Sequence, residues 1–184
     1  MPRWPWRAEQ ASGSKTDSNV AQLPRKDVTP TIDGVCEKPQ EELAGGIAPV
    51  TLPRVAEALE QLDIRYLTDG DGSLLALWER HAVLFALEGP SDEILVIRAR
   101  PHGTVPPDWV DRAYRVINEW NHTRRFYKAY VGDATDRGQL PIYAEMQVPL
   151  LSGAHDALVA ELVDCAAVVA LGFVDWLHDE GALL

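Results

Sequence analysis

The densest group of side chains able to take part in chemistry lies where the second predicted helix meets the strand after it. Asn118-Glu-Trp-Asn121 is followed by His122-Thr-Arg-Arg125 and, after two aromatic residues, by Lys128. Such amides, cations and rings can bind an acidic or extended peptide. They can equally end a helix, with Trp120 facing the core and the arginines neutralising the carbonyl end. We favour this structural interpretation and keep as a candidate partner-binding set Asn118, Trp120, Asn121, Arg124, Arg125 and Lys128.

No standard catalytic or cofactor-binding motif occurs in the sequence. It has no Gly-x-Ser-x-Gly, no phosphate-binding loop and no dinucleotide fingerprint. Asp69-Gly-Asp-Gly72 begins like a calcium loop, but Leu74 replaces its glycine and Arg80 its bidentate glutamate. The five histidines lack the i, i+2 or i, i+4 spacing of metal ligands. We therefore predict no catalytic residue, no metal and no cofactor.

Two other functional classes stay open as alternatives. A small-molecule sensor would use a pocket lined by tryptophans and gated by arginines, with Trp78, Trp109, Trp120, Arg98, Arg100 and Arg124 as candidates. An uncharacterised enzyme would assemble a site from distant residues, with Glu119, His122 and Asp133 as arbitrary candidates. Core packing explains each tryptophan more simply, and the enzyme ranks last.

Composition predicts a folded, acidic protein. Of 184 residues, 46% are hydrophobic, and 28 acidic side chains outnumber 17 basic ones, for a net charge of -11. Residues 1–49 carry 6 basic and 7 acidic side chains, so the acidic excess lies in the remainder. Such a body repels phosphate backbones and anionic lipids, which argues against nucleic-acid and membrane partners. Two cysteines, Cys36 and Cys165, are too few for a disulfide framework.

The distribution of apolar residues indicates a cytoplasmic protein. The N-terminus has no apolar signal core, and no uninterrupted apolar run approaches the ~18 residues of a membrane span. Residues 1–48 lack a sustained period and predict a flexible tail. Trp4 and Trp6 in that tail are either an accidental pair or a short docking segment. Residues 49–184 form the predicted domain.

Hydrophobic periods within the domain predict three helices and six strands. Thr51 and Pro53 begin the first helix, Pro106-Pro107-Asp108 the second, and Ser152-Gly153 the third. The predicted strands are Arg65–Thr68, Leu74–Glu79, Ala82–Leu87, Ile94–Arg100, Phe126–Val131 and Leu140–Val148. The order α-β-β-β-β-α-β-β-α with short turns predicts an α+β fold: a twisted antiparallel sheet with flanking helices.

The same hydrophobic patterns also predict which strands and helix faces are buried. The second and third strands are apolar on both faces, so we expect both to be covered, by helices, the tail or a second subunit. Trp109, Ala113, Val116 and Trp120 mark the buried stripe of the second helix. The buried side of the third helix is predicted at Leu158, Leu162, Cys165, Val169, Phe173 and Trp176. Its middle is apolar almost all round, which indicates a sandwiched or dimer-facing helix.

Several stretches of the domain resemble the YbjN family, bacterial proteins described as sensory-transduction regulators. Asn118-Glu-Trp-Asn121 followed by Lys128-Ala-Tyr130 carries the resemblance most specifically. Less specific stretches are Arg54–Leu59 with Arg65-Tyr66, Val83–Leu87, Ile94–Arg98 and Tyr143–Glu145. The resemblance covers about residues 50 to 180 and is to the actinobacterial-looking branch.

The resemblance implies a fold like that of type III secretion chaperones, which are usually dimers that hold partner segments without catalysis. It carries over no catalytic residue. We therefore predict a dimeric, non-catalytic, chaperone-like or regulatory module that binds an unknown protein or peptide segment. Binding would use an exposed strand edge or a groove beside the helices.

Overall fold

The computed structural model describes residues 46–184. The predicted tail and its Trp4 and Trp6 lie outside the described residues, except for positions 46–48. The helices are α1 (Leu52–Gln61), α2 (Val110–Thr123), which a 3-10 turn at Pro107–Trp109 precedes, and α3 (Asp156–His178). The strands are β1 (Tyr66–Thr68), β2 (Leu74–Leu77), β3 (His81–Glu88), β4 (Ile94–Pro101), β5 (Thr104–Val105), β6 (Lys128–Val131) and β7 (Leu140–Pro149).

All the strands belong to one antiparallel sheet. Its order is β1-β2-β3-β4-β7-β5, and β6 also pairs with β7. The predicted α+β class and the six predicted strands are confirmed, with ends shifted by one or two residues. The two-residue strand β5 was not predicted, because Thr104-Val105 is too short to show a period.

Helix α1 is anchored by one arginine. Thr51 is its N-cap residue, although its side chain forms no capping bond, and Pro53 lies in the first turn. The Arg54 guanidinium donates to the carbonyl oxygens of Ala48 (2.8 Å) and Ala154 (2.7 Å). Ala48 and Ala154 also form an isolated β-bridge. Arg54 therefore fastens α1 to the chain entering the domain and to the start of α3.

The predicted buried stripe of α2 is partly wrong. Ala113 and Trp120 are buried, as the helical spacing predicted, and Val116 is half-buried against the core; Ile117 is buried as well. Trp109 is exposed, because it ends the 3-10 turn before α2 and so leaves the helical phase. The Arg112 guanidinium lies 4.9 Å from the Trp109 ring centroid.

The predicted buried side of α3 is only partly correct: Phe173 and Trp176 are buried, and Leu162 and Val169 are half-buried against the core. Apart from Phe173 and Trp176, the buried residues are Val159, Val163, Ala166, Ala170, Val174 and Leu177. Leu158 is exposed, and Cys165 is half-buried. Most of the buried face lies one residue later than predicted, a rotation of about 100° on a helix of 3.6 residues per turn. Apolar residues surround α3, so its pattern does not fix the rotation.

Among the described residues, α3 is the one helix long and apolar enough to cross a membrane by length and composition. The sequence expectation missed this because it considered uninterrupted apolar runs, whereas α3 carries a few acidic residues. Here α3 packs Val163, Ala166 and Phe173 into the hydrophobic core. A core helix meets the same criteria.

The helices cover one face of the sheet. Phe85, Ile97 and Met146 lie side by side on β3, β4 and β7 and belong to the core that α1 and α3 complete. Leu75, Leu84 and Arg98 form the neighbouring row, on the opposite face because side chains alternate along a strand. Within residues 46–184 the helices leave that second face uncovered.

Candidate partner-binding surface

The face of the sheet away from the helices, here called the open face, carries the candidate site. Its members share one side of β1, β2, β3, β4 and β7: Leu67, Leu75, Leu77, Ala82, Leu84, Arg98, Arg100 and Tyr143. The strand registers place them in rows that run across the sheet.

One half of the open face is apolar. Leu67, Leu75 and Leu84 form a row across β1, β2 and β3, and Leu77 lies opposite Ala82 in the next row. Leu67 and Leu77 are exposed, whereas Leu75 and Leu84 are half-buried. Leucines of this kind on adjacent strands keep apolar area in water that a partner would cover.

The other half of the open face is held by ion pairs and tyrosines. The Arg98 Nε donates to Glu145 at 2.6 Å, and its guanidinium lies 3.9 Å from Glu88. Burial lowers the pKa of Arg98, but the hydrogen bond and charge of Glu145 outweigh burial and leave that pKa raised. Tyr130 donates to the same carboxylate, and burial together with Glu145 raises the pKa of Tyr130 to about 12. Arg98 is therefore engaged within the chain.

A hollow of about 460 Å³ lies where the two halves meet. Its lining consists of Leu75, Leu77, Ala82, Leu84, Arg98, Arg100, His102 and Tyr143. The exposed Arg100 guanidinium lies 5.8 Å from the Tyr143 ring centroid and forms no ion pair within residues 46–184. Arg100 is therefore a cation beside the leucines that can receive a carboxylate.

Two members of the predicted partner-binding set serve the fold. Trp120 is 3% exposed, packs against Phe173 and Trp176, and its Nε1 donates to the Tyr127 carbonyl at 3.3 Å. The Asn121 amide nitrogen donates to the Ala129 carbonyl (2.9 Å), and its oxygen accepts from the Ala129 N–H (2.8 Å). Asn121 thus reproduces the two bonds that a neighbouring strand would give β6 and closes that edge of the sheet.

The other four members of the set are exposed. Asn118, Arg124 and Arg125 lie outside the strands of the open face, whereas Lys128 lies opposite Glu145, in the same row as Arg98. Asn118 is on α2, and Lys128 donates to the Asn121 carbonyl at 3.1 Å. Arg124 forms an ion pair with Glu180 at 3.7 Å. Arg125 borders a second hollow, beside α3. The structure therefore divides the set between the α2–β6 joint and the α3 surface.

The enzyme candidates do not converge, but two of the sensor candidates do, because Trp120 and Arg124 both line the hollow beside α3. Of the sensor candidates, Arg98 and Arg100 line the open-face hollow, while none of the three tryptophans does. Trp78 stacks on His81 with ring centroids 5.0 Å apart. Glu119 and His122 are exposed on α2, and Asp133 lies in the β6–β7 loop. Among residues 46–184, no group of three or more His, Cys, Asp or Glu side chains is placed to hold a metal.

One buried histidine was missed by sequence reasoning. His81 is 1% exposed, and neither of its ring nitrogens has a hydrogen-bond partner among residues 46–184. Burial lowers the pKa of His81, as do the charges of His102 and Arg80, while Asp175 opposes them. The apolar residues that follow His81 in β3 were the signal in the sequence that could have indicated its burial.

Comparison with known proteins gives a consistent result. The model of the YbjN family, described as "Putative bacterial sensory transduction regulator", matches residues 51–179. A similar solved structure is "Crystal structure of YbjN, a putative transcription regulator from E. coli", with a TM-score of 0.61 at 13% identity. The alignment covers 73% of this chain and 97% of that one. No curated protein matches significantly.

The family match spans most of the chain, and the structural likeness independently supports the same fold. The chain therefore belongs to the YbjN family.

Proposed function

We propose that this chain is a non-catalytic binding module that holds a protein or peptide segment on the open face. The observation that carries the proposal is a leucine row that no helix covers within residues 46–184, next to Arg100, a cation with no ion pair in that same part of the chain. Apolar area supplies affinity, and a cation at its border selects among apolar segments. The preferred occupant is therefore an apolar segment that carries a carboxylate.

The closed edge of β6 supports the open face as the binding site. Asn121 occupies the groups of Ala129 that point away from β7, so a partner cannot extend the sheet at that residue. At the other end of the sheet, β1 pairs only with β2 within the described residues. A segment that crosses the leucines therefore reaches an unpaired strand edge at β1.

A display selection tests this proposal. A library of random linear peptides is selected against the immobilised full chain, and the enriched peptides are measured as free, monovalent ligands. We expect enriched peptides to combine apolar residues with Asp or Glu. We expect Leu77→Glu and Arg100→Glu each to weaken binding about tenfold, or 1.4 kcal/mol.

The matched control is Leu171→Glu on α3, because Leu77 and Leu171 are each 51% exposed. Peptide affinity should not change in this control. A selection without enrichment, or peptides that bind Leu77→Glu as tightly as wild type, would refute the proposal.

A small-molecule sensor is the second candidate, favoured by the size of the open-face hollow. Its volume of about 460 Å³ lies within the range of ligand pockets, and Arg100 and His102 supply polar groups. A thermal-shift screen of small carboxylates should then raise the melting temperature of the wild type but not of Arg100→Glu. A screen without such a compound would remove this candidate.

A further inference from the structure

The outward face of α3 carries a second exposed apolar surface, which contains none of the residues of the open face. Val168, Leu171 and Gly172 are exposed at its centre, with Asp164 one turn and Glu161 two turns towards the N-terminus. Phe126, from the loop before β6, lies beside them. We call these six residues the α3 ridge.

Phe126 is held exposed in an unfavourable backbone conformation. Its φ is +66°, its side chain is 64% exposed, and the Tyr127 N–H donates to the Arg125 carbonyl across it at 2.9 Å. A left-handed conformation is costly for a bulky residue, and such residues cluster at functional sites. Burial within residues 46–184 does not offset that cost, because the ring lies in solvent.

Gly172 also lacks an explanation within the chain. A glycine inside a helix costs about 0.5–1 kcal/mol relative to alanine. A Cβ at Gly172 would meet no atom within 4 Å, so internal packing does not require the small residue. A glycine at this exposed position leaves room for another backbone to approach closely. Gly172 borders a hollow of about 390 Å³ that Phe126, Arg125 and Val168 also line.

The charges of the α3 ridge and of the adjacent Arg125 are arranged so that two copies of this surface can pair. Glu161 and Asp164 form no ion pair within residues 46–184, and neither does Arg125. Glu161 and Asp164 lie on one side of Val168. On the other side Arg125 lies beside Gly172, and Asp175, two turns along α3, is paired with Arg80. Asp164 and Gly172 are equally far from Val168 in sequence. Two antiparallel copies of α3 centred on Val168 therefore bring Asp164 of each copy to the hollow beside Arg125 of the other.

We propose that the α3 ridge is the contact surface between two copies of this chain, related by a twofold axis near Val168. Phe126 and Leu171 supply buried apolar area, and Gly172 allows the helices to approach. The pairing of Asp164 with Arg125 fixes the antiparallel direction. This surface is separate from the open face, so the dimer leaves the proposed binding site accessible.

The test is to measure the molar mass of the full chain and of its variants by light scattering after gel filtration at micromolar concentration. We expect wild type at the mass of two chains and Val168→Glu at one. Asp164→Arg and Arg125→Asp should each raise the dimer dissociation constant about tenfold, or 1.4 kcal/mol. The double exchange Asp164→Arg/Arg125→Asp should recover most of that loss, because each new arginine meets a new aspartate in the other copy.

Leu77→Glu on the open face is the control and should keep the mass of two chains. Circular dichroism verifies that the variants fold. If Val168→Glu does not fold, the Asp164→Arg and Arg125→Asp variants decide the outcome, because both residues are exposed. A wild-type mass of one chain, an unchanged mass for Val168→Glu, or a double exchange no better than its single variants would overturn the proposal.

Discussion

Replacing Asn121 tests whether one side chain closes the edge of β6. Asn121→Ala removes both hydrogen bonds to Ala129 and leaves that residue's N–H and carbonyl, which are almost buried, without partners. Each bond contributes about 0.5–1.5 kcal/mol, so we expect a loss of about 1–3 kcal/mol. A loss of about 2 kcal/mol corresponds to a melting temperature lower by about 4–8 °C in a chain of this size.

Asn121→Asp makes the test sharper because it keeps the shape. One carboxylate oxygen still accepts from the Ala129 N–H, but the other replaces the amide donor and faces the Ala129 carbonyl. We therefore expect Asn121→Asp to be destabilised at neutral pH despite its size. Asn118→Ala, exposed one turn earlier on α2, is the control and should stay within about 0.5 kcal/mol of wild type. Urea unfolding measures all three. If both Asn121 variants match the control, the edge-closing role is wrong.

Three further variants test other parts of the fold. Burial lowers the pKa of His81 in the folded chain, so below the unfolded value near 6.5 the unfolded chain binds more protons and stability should fall with pH, by up to about 1.4 kcal/mol per pH unit. Urea unfolding at several pH values should show a shallower slope for His81→Phe, and parallel curves would contradict this. Gly153→Ala places a Cβ in a clash with the Ala48 carbonyl oxygen, at φ +79°, and should cost at least about 2 kcal/mol. Gly172→Ala, measured where the chain is monomeric, should cost nothing, and equal losses at both glycines would refute this account. Tyr127→Phe removes the bond to the Ala166 carbonyl (3.3 Å) and should lower the unfolding free energy by about 1 kcal/mol, and an unchanged chemical-denaturation midpoint would contradict the bond.

The strands could be predicted because their chemistry is local. The turn at Asp69–Gly72 carries its own signal, and the Gly72 N–H donates to the Asp69 carbonyl at 2.9 Å. In β4, Leu95, Ile97 and Ala99 are buried while Arg98 lies on the other side, which is the alternation of side chains along a strand. Period and turn chemistry thus fixed the element order.

The candidate sites could not be predicted in the same way because they depend on contacts distant in sequence. The apolar surround of α3 left its rotation open, so Leu158 was expected inside and the exposure of Val168 and Leu171 was missed. Asn121 was expected to help end α2, but its amide binds Ala129. No local pattern reveals that pairing. Because β2 and β3 are apolar on both faces, the sequence predicted that both faces of the sheet are covered. Within residues 46–184, helices cover only one of the two faces.

The most direct test of the central claim follows leucine methyl groups by NMR while a selected acidic–apolar peptide is added to the full chain. The chain offers reporters on both surfaces, with Leu75, Leu77 and Leu84 on the open face and Leu158 and Leu171 on α3. We expect the methyl shifts to move on the open face and to stay unchanged on α3. Shifts confined to the α3 leucines, or none at saturating peptide, would contradict binding at the open face.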